Sequence, residues 1–200
     1  MNARDKILAS IAAGKTALRP LPDLPVTPES DKDLLAAEFI RVLGSIGATA
    51  ITANGLTLIR EDLQRTRQGS AYIVNTIPDI GTVNAEVHAG TGADLLEKVE
   101  KAYIRGTIGV AENGAVWLTE AGMVNRLLPF ICQHLVIVVD REDLVADMHE
   151  AYRSLPATGD GYGVFIAGPS RTADIEQSLV TGAHGARSVL VYLVTPEKHF

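Results

Sequence analysis

The hydrophobic pattern changes period several times along the chain, and each change marks an element. Residues 2–13 place Ile7, Leu8 and Ile11 on one side of an amphipathic helix, with Gly14 as its stop. Four of the nine prolines fall between Pro20 and Pro28, which predicts an extended, stiff arm rather than a piece of core. Ser30 then fits an N-cap, with Asp33 three positions later in a near capping box. The helix that follows carries Leu34, Leu35, Phe39, Val42, Leu43 and Ile46 at helical spacing and ends near Gly47. Beyond it come short β-prone runs at 48–52, 71–75, 107–111, 115–119, 135–140, 164–167 and 188–194, with helical patterns at 56–67, 93–103, 141–154 and 171–181. Such alternation predicts right-handed crossovers and a largely parallel sheet flanked by helices. Glu112-Asn113-Gly114 between two apolar runs predicts a tight hairpin, so part of the sheet is expected to be antiparallel. The expected organisation is an N-terminal helix and proline-rich arm over 1–28 and one mixed α/β domain over 29–200.

Composition narrows the function classes. With 46% hydrophobic residues in 200, the chain can bury a large core without disulfides or a structural metal. The single cysteine, Cys132, supplies neither an intramolecular disulfide nor a four-cysteine iron–sulfur site. A formal charge of −6 without a block of lysine or arginine argues against nucleic-acid binding and against attachment to anionic membrane. The first fifteen residues alternate charged and apolar positions, unlike a secretory signal, and the aliphatic stretch Leu135–Val139 is far too short to span a bilayer. The expectation is a soluble, cytoplasmic protein.

Several fragments imitate known chemistry without its context. Gly14-Lys15-Thr16 resembles the end of a phosphate-binding loop, but Ala9 stands where the first glycine belongs and no strand precedes it. Gly90-Thr91-Gly92 opens a helical pattern, yet Leu95 replaces the last glycine of a dinucleotide fingerprint; a plain turn is the simpler reading, although the glycines would let a phosphate approach the backbone. None of the five histidines pairs with another at the i, i+4 spacing of a helical metal site, so no metal is expected.

The segment from Val164 to Glu176 carries more. It reads as a buried strand, a tight turn at Gly168 and Pro169, then a helix capped by Ser170. A helix start at the carboxyl end of a strand offers free N–H groups to a carboxylate or phosphate. Arg171 in the first turn opposes the helix dipole and calls for compensation. On a helical wheel at about 100° per residue, Glu176 falls within a stripe of Thr172, Ile175, Leu179, Val180 and Ala183; Asp174 points elsewhere. A carboxylate on a buried face must be paired, hydrogen-bonded or protonated, which suits either a structural tie or an acid/base group. Glu112, at a strand end beside the Asn113-Gly114 turn, and His184, at the mouth of the last strand, are further candidates for proton transfer; each has an equally plain structural reading, as a solvated turn residue and as a partner for a free helix carbonyl.

Gly168-Pro-Ser-Arg-Thr-Ala-Asp-Ile-Glu176, followed by Gly182-Ala-His-Gly185, resembles the C-terminal signature of the lactate-utilization protein C family, the LUD-domain group. Ala111-Glu112-Asn113-Gly114 is similar to its Ala-Glu-x-Gly step, and Pro129 with His134 before an aliphatic strand matches its layout. Ala186 departs from the proline common there. The resemblance implies the fold shared by sugar-phosphate isomerases and CoA transferases (NagB/RpiA/CoA transferase-like). It also implies a role in oxidising L-lactate to pyruvate beside two partner proteins that carry iron–sulfur clusters, with no cofactor intrinsic to this chain. Carried over by position, Glu112, Glu176 and His184 are the candidate catalytic residues. Gly168, Ser170, Arg171, Thr172 and Asp174 are candidate ligands for a small anion. A stand-alone acyl-transferase-like or isomerase-like enzyme and a non-catalytic regulatory module remain as alternatives.

Overall fold

The computed structural model describes residues 2–15, 31–69, 72–83, 87–155, 161–173, 179–181 and 185–196. In chain order these form helix α1 (Ala3–Ala13), helix α2 (Lys32–Ser45), strand β1 (Thr49–Asn54), helix α3 (Thr57–Gln68), strand β2 (Ile73–Asn75), helix α4 (Ala93–Leu96), and strands β3 (Lys101–Arg105), β4 (Ile108–Val110) and β5 (Val116–Thr119). Helices α5 (Glu120–Met123) and α6 (Leu128–Ile131), strands β6 (His134–Asp140) and β7 (Leu144–Val145) and helix α7 (Met148–Ser154) follow, and then strands β8 (Gly163–Ile166), β9 (Arg171–Ala173), β10 (Leu179–Thr181) and β11 (Ser188–Thr195).

Five strands in the order β1-β11-β6-β3-β2 make a wholly parallel sheet. Its central strand β6 is aliphatic from Leu135 to Val139 because both of its faces are covered. Leu135, Ile137 and Val139 join a core with Phe39 and Leu43 of α2, Leu96 of α4 and Val116 and Leu118 of β5. Val136 and Val138 face the other way, onto Ile59 and Leu63 of α3. The step from β1 to β2 runs along the sheet one way and puts α3 on one face. The later steps run back the other way and put their connections on the opposite face, as right-handed crossovers require.

A second sheet, ordered β7-β4-β5-β8, is mixed: β4 pairs parallel with β7 and antiparallel with β5, and β8 pairs antiparallel with β5. The expected hairpin is present, with Gly114 at φ 71° and Val110 N–H donating to Ala115 O at 2.8 Å. Gly14 caps α1 as expected. Helix α1 buries none of its residues, and the expected boundary between residues 28 and 29 lies outside the described residues.

Four expectations are corrected. The cap of α2 is Asp31, whose carboxylate accepts from Asp33 N–H at 2.8 Å, rather than Ser30. The helical pattern at 93–103 yields a single turn, α4, and then the strand β3. Ala102, Tyr103 and Ile104 are all buried, because a strand between β2 and β6 is covered on both faces and loses its alternation. The pattern at 141–154 resolves into a 3-10 turn at Arg141–Asp143, the short β7, and a helix only over Met148–Ser154. Residues 171–181 do not form one helix: β9 and β10 pair antiparallel, Thr172 opposite Val180 and Arg171 opposite Thr181. β-Branched Thr172, Val180 and Thr181 suit a ladder better than a helix interior.

Asp62 ties α3 to the sheet. Its Oδ2 accepts from Lys101 Nζ at 2.7 Å and from the Tyr103 hydroxyl at 2.8 Å, and Thr66 Oγ1 lies 3.1 Å from the same hydroxyl. Burial, with the Asp62 charge adding, pushes the Tyr103 phenol well above its ordinary range. Replacing Asp62 by alanine leaves an ammonium and a phenol without their shared acceptor in a mostly buried place. The expected loss is about 2–3 kcal/mol of unfolding free energy, measured by urea denaturation followed through Trp117, the sole tryptophan.

Candidate functional site

The turn between β8 and β9 builds one wall of a cleft. Gly168 has φ 71°, a left-handed conformation that favours glycine, and a Cβ there would lie 3.1 Å from Ile46 Cγ1 and 3.2 Å from Ile46 O. The opposite wall comes from the segment before β11: Ser170 N–H donates to Ala186 O at 3.0 Å, and a Cβ on Gly185 would stand 3.0 Å from Ser170 Cβ. Between and around these backbones lies a cleft of about 280 Å³, closed by Pro129, Phe130, Leu135, Phe165 and Val189. Phe165 is held in place by β5, where Trp117 stacks obliquely on it at 4.6 Å between centroids. The indole in turn demands Gly163, where a Cβ would meet Trp117 at 2.1 Å.

Of the expected site residues, Gly168 and Ser170 line this cleft. Arg171 and Thr172 follow directly as the first residues of β9. Since Ser170 precedes a strand, it is not a helix N-cap, and the helix-dipole argument for an anion at this turn falls away; what remains is a cleft edged by glycine-rich backbone. The helical wheel that set Glu176 among apolar neighbours lapses for the same reason, and Asp174, Glu176 and His184 lie outside the described residues.

Glu112 is exposed, and its Oε2 accepts from Met148 N–H at 3.1 Å. It therefore caps the start of α7, together with Asp147, which accepts from Glu150 N–H at 2.8 Å. Its hairpin nevertheless adjoins the cleft's lip: a Cβ on Gly114 or on Gly168 would come within 3.2 Å of the same atom, Ile46 Cδ1. His134 is a cross-strand tie, its Nδ1 lying 2.8 Å from Ser188 Oγ.

Sequence reasoning missed the aromatic walls. Phe165 lay inside the expected strand without any sign that it faced a cavity, and Phe130 lies in the short helix α6, whose role depends on β8 lining the same cleft. It also missed Asn125, which is 6% exposed and whose amide hydrogens are shared among three carbonyls of the loop before α4. Nothing local distinguishes that asparagine from a solvated one.

A family model for the LUD domain matches residues 2–194. The chain is 35% identical over 96 residues to a lactate utilization protein C of Shouchella clausii, covering 46% of this chain and 42% of that protein. It is 34% identical over 103 residues to a lactate utilization protein C of Halalkalibacterium halodurans, covering 47% and 45%. The aligned regions thus span less than half the length of these two relatives. Its backbone is similar to the crystal structure of a DUF162-family protein from Deinococcus radiodurans, with a TM-score of 0.58 at 17% identity over 85% of this chain and 99% of that one.

Two measurements check the construction of this cleft. Gly168→Ala should destabilise the protein by about 1–2 kcal/mol, from the left-handed conformation alone, and lower its melting temperature in calorimetry. Cys132 caps the end of α6 and is 1% exposed; burial pushes its thiol from 9.0 up to about 12. The unfolded thiol ionises first, so its contribution to stability is complete below pH 9.0 and is lost between there and about 12. The stability margin of wild type over Cys132→Ala should therefore shrink across that alkaline window in denaturant titrations.

Proposed function

Because this chain belongs to the LUD-domain family, we propose that it is an accessory protein or subunit of a system that oxidises L-lactate to pyruvate, and that it binds a small carboxylate or phosphate beside the turn at Gly168–Ser170. The observation that carries the reading is the cleft where Gly168–Ser170 faces Gly185–Ala186, immediately before Arg171 at the head of β9. A guanidinium there would take a carboxylate through two parallel hydrogen bonds. Glu176 or His184 would accept one of the two protons that leave the substrate, the other passing to solvent or to the electron acceptor, and Thr172 and Asp174 would complete the polar edge. Glu112 would hold the neighbouring hairpin against α7.

Oxidation of lactate releases two electrons and two protons. One cysteine and no dinucleotide fingerprint leave this chain without an electron acceptor among its own side chains, so the electrons would pass to partner proteins carrying iron–sulfur clusters. Among the described residues no helix is long and apolar enough to cross a membrane.

An anaerobic pull-down of the tagged chain from its native cells tests the assembly: brown co-purifying proteins that are reduced on adding L-lactate are expected, and a colourless, partner-free chain would sink the subunit reading. Calorimetric titration with pyruvate tests the site. Arg171→Ala should weaken binding about tenfold or more at an unchanged melting temperature, whereas wild-type affinity in that variant would refute the assignment.

A further inference from the structure

Val124 is the one non-glycine residue with positive φ among the described residues, at φ 63° and ψ −41°. Asn125 N–H donates to Met123 O at 2.7 Å, closing a three-residue γ-turn about Val124 of the rare, strained kind. A β-branched side chain takes up this conformation only where its surroundings impose it. Asn125 imposes it: the two hydrogens of its Nδ2 are shared among the carbonyls of His88, Ala89 and Thr91, at 3.2, 3.3 and 3.2 Å, and its Oδ1 accepts from Leu127 N–H at 3.0 Å. The turn and the loop it grips line a second cleft, of about 470 Å³, bounded by Ala89–Thr91, Glu120 and Val124–Leu127. It shares no lining residue with the cleft at Gly168–Ser170.

Arg126 is set in this cleft by two contacts. Its Nε donates to Glu120 Oε1 at 2.7 Å, and its guanidinium carbon lies 5.0 Å from the centre of the Tyr162 ring. Glu120 is fixed from its other oxygen, which accepts from Tyr162 N–H at 3.1 Å. The arrangement uses Nε and leaves the paired Nη groups at the end of the fork without a protein acceptor among the described residues.

We propose that this second cleft binds the carboxylate of a small organic acid, received by the Arg126 Nη pair, with the acid's aliphatic body against Ala89, Val124 and Leu127. A planar monoanion matches the guanidinium fork. A phosphate dianion would face the Glu120 carboxylate with no second cation among the residues that line the cleft. The cleft's volume lies in the range of small-molecule sites, and its walls between Arg126 and the Ala89–Thr91 loop are largely aliphatic. The strain at Val124 then has a purpose: the γ-turn sets the Arg126 fork and the Leu127 side chain on the same cavity.

The test is a titration of the full chain with hexanoate, followed by amide proton–nitrogen correlation spectra. Saturable shifts are expected at Gly90, Thr91 and Leu127. Arg126→Gln should weaken binding about tenfold or more, and Arg126→Lys, which keeps the charge and loses the fork, should weaken it as well. Val124→Gly relaxes the turn, so its melting temperature should rise while its affinity for hexanoate falls. Wild-type binding by Arg126→Gln, inorganic phosphate binding as tightly as hexanoate, or shifts centred on Gly168, Ser170 and Gly185 would each overturn the proposal; the last would leave the site under Proposed function standing.

Discussion

The two sheets are joined at a point with no room for a side chain. Gly106 follows β3, and its N–H donates to Val138 O at 2.9 Å, a last rung of the parallel sheet. The next residue, Thr107, donates to Trp117 O at 3.0 Å and belongs to the mixed sheet. A Cβ on Gly106 would stand 2.3 Å from Val116 Cγ1 and 3.2 Å from Ile137 Cγ2. This close approach lets Val116 and Leu118 of β5 share one core with Ile104 and Ile137 of the parallel sheet. Any residue larger than glycine would separate the layers and open that core, at a cost that rises with the volume left empty.

The candidate site depends on this junction at one remove. With β5 fixed, β8 pairs against it, Val116 opposite Ile166 and Trp117 opposite Phe165. That register carries the chain to Gly168 beside Ile46 and sends Ser170 to its bond with Ala186. Helix α2 contributes from the other side, since Leu43 and Ile46 meet the β4–β5 hairpin at Gly114. The cleft is thus lined by backbone whose position is set by packing some distance away, which is how a site keeps its shape on a turn.

How much of this was legible follows from what each element's neighbours do to it. β6 could be read from its aliphatic run, and the hairpin at Asn113-Gly114 from its turn chemistry, because both signals are local. β3 could not: Ala102, Tyr103 and Ile104 are buried on two faces and show no alternation, while Leu95, Leu96 and Val99 continue a helical spacing into it. Residues 171–181 misled for a related reason. Thr172, Ile175, Leu179 and Val180 fit a helical wheel, yet β-branched Thr172 and Val180 pair across a ladder, and pairing is a non-local fact. The motif itself was found from its glycines and charges. The cleft beside it was not, because Phe130 and Phe165 come to line one cavity only after α6 and β8 have packed.

A similar limit hid the turn at Val124, and there the structure argues for more than packing. A left-handed, β-branched residue costs on the order of 1–3 kcal/mol. Glycine at 124 would connect α5 to α6 without that expense. The hydrogen bonds of the Asn125 side chain hold the turn in place, but they would serve equally well behind a relaxed glycine turn. What valine adds is an aliphatic wall at a fixed place beside Arg126, in a cavity the core does not fill. Stability alone accounts for Asn125. It does not account for Val124, whose side chain gains a use once a ligand's apolar body lies against it.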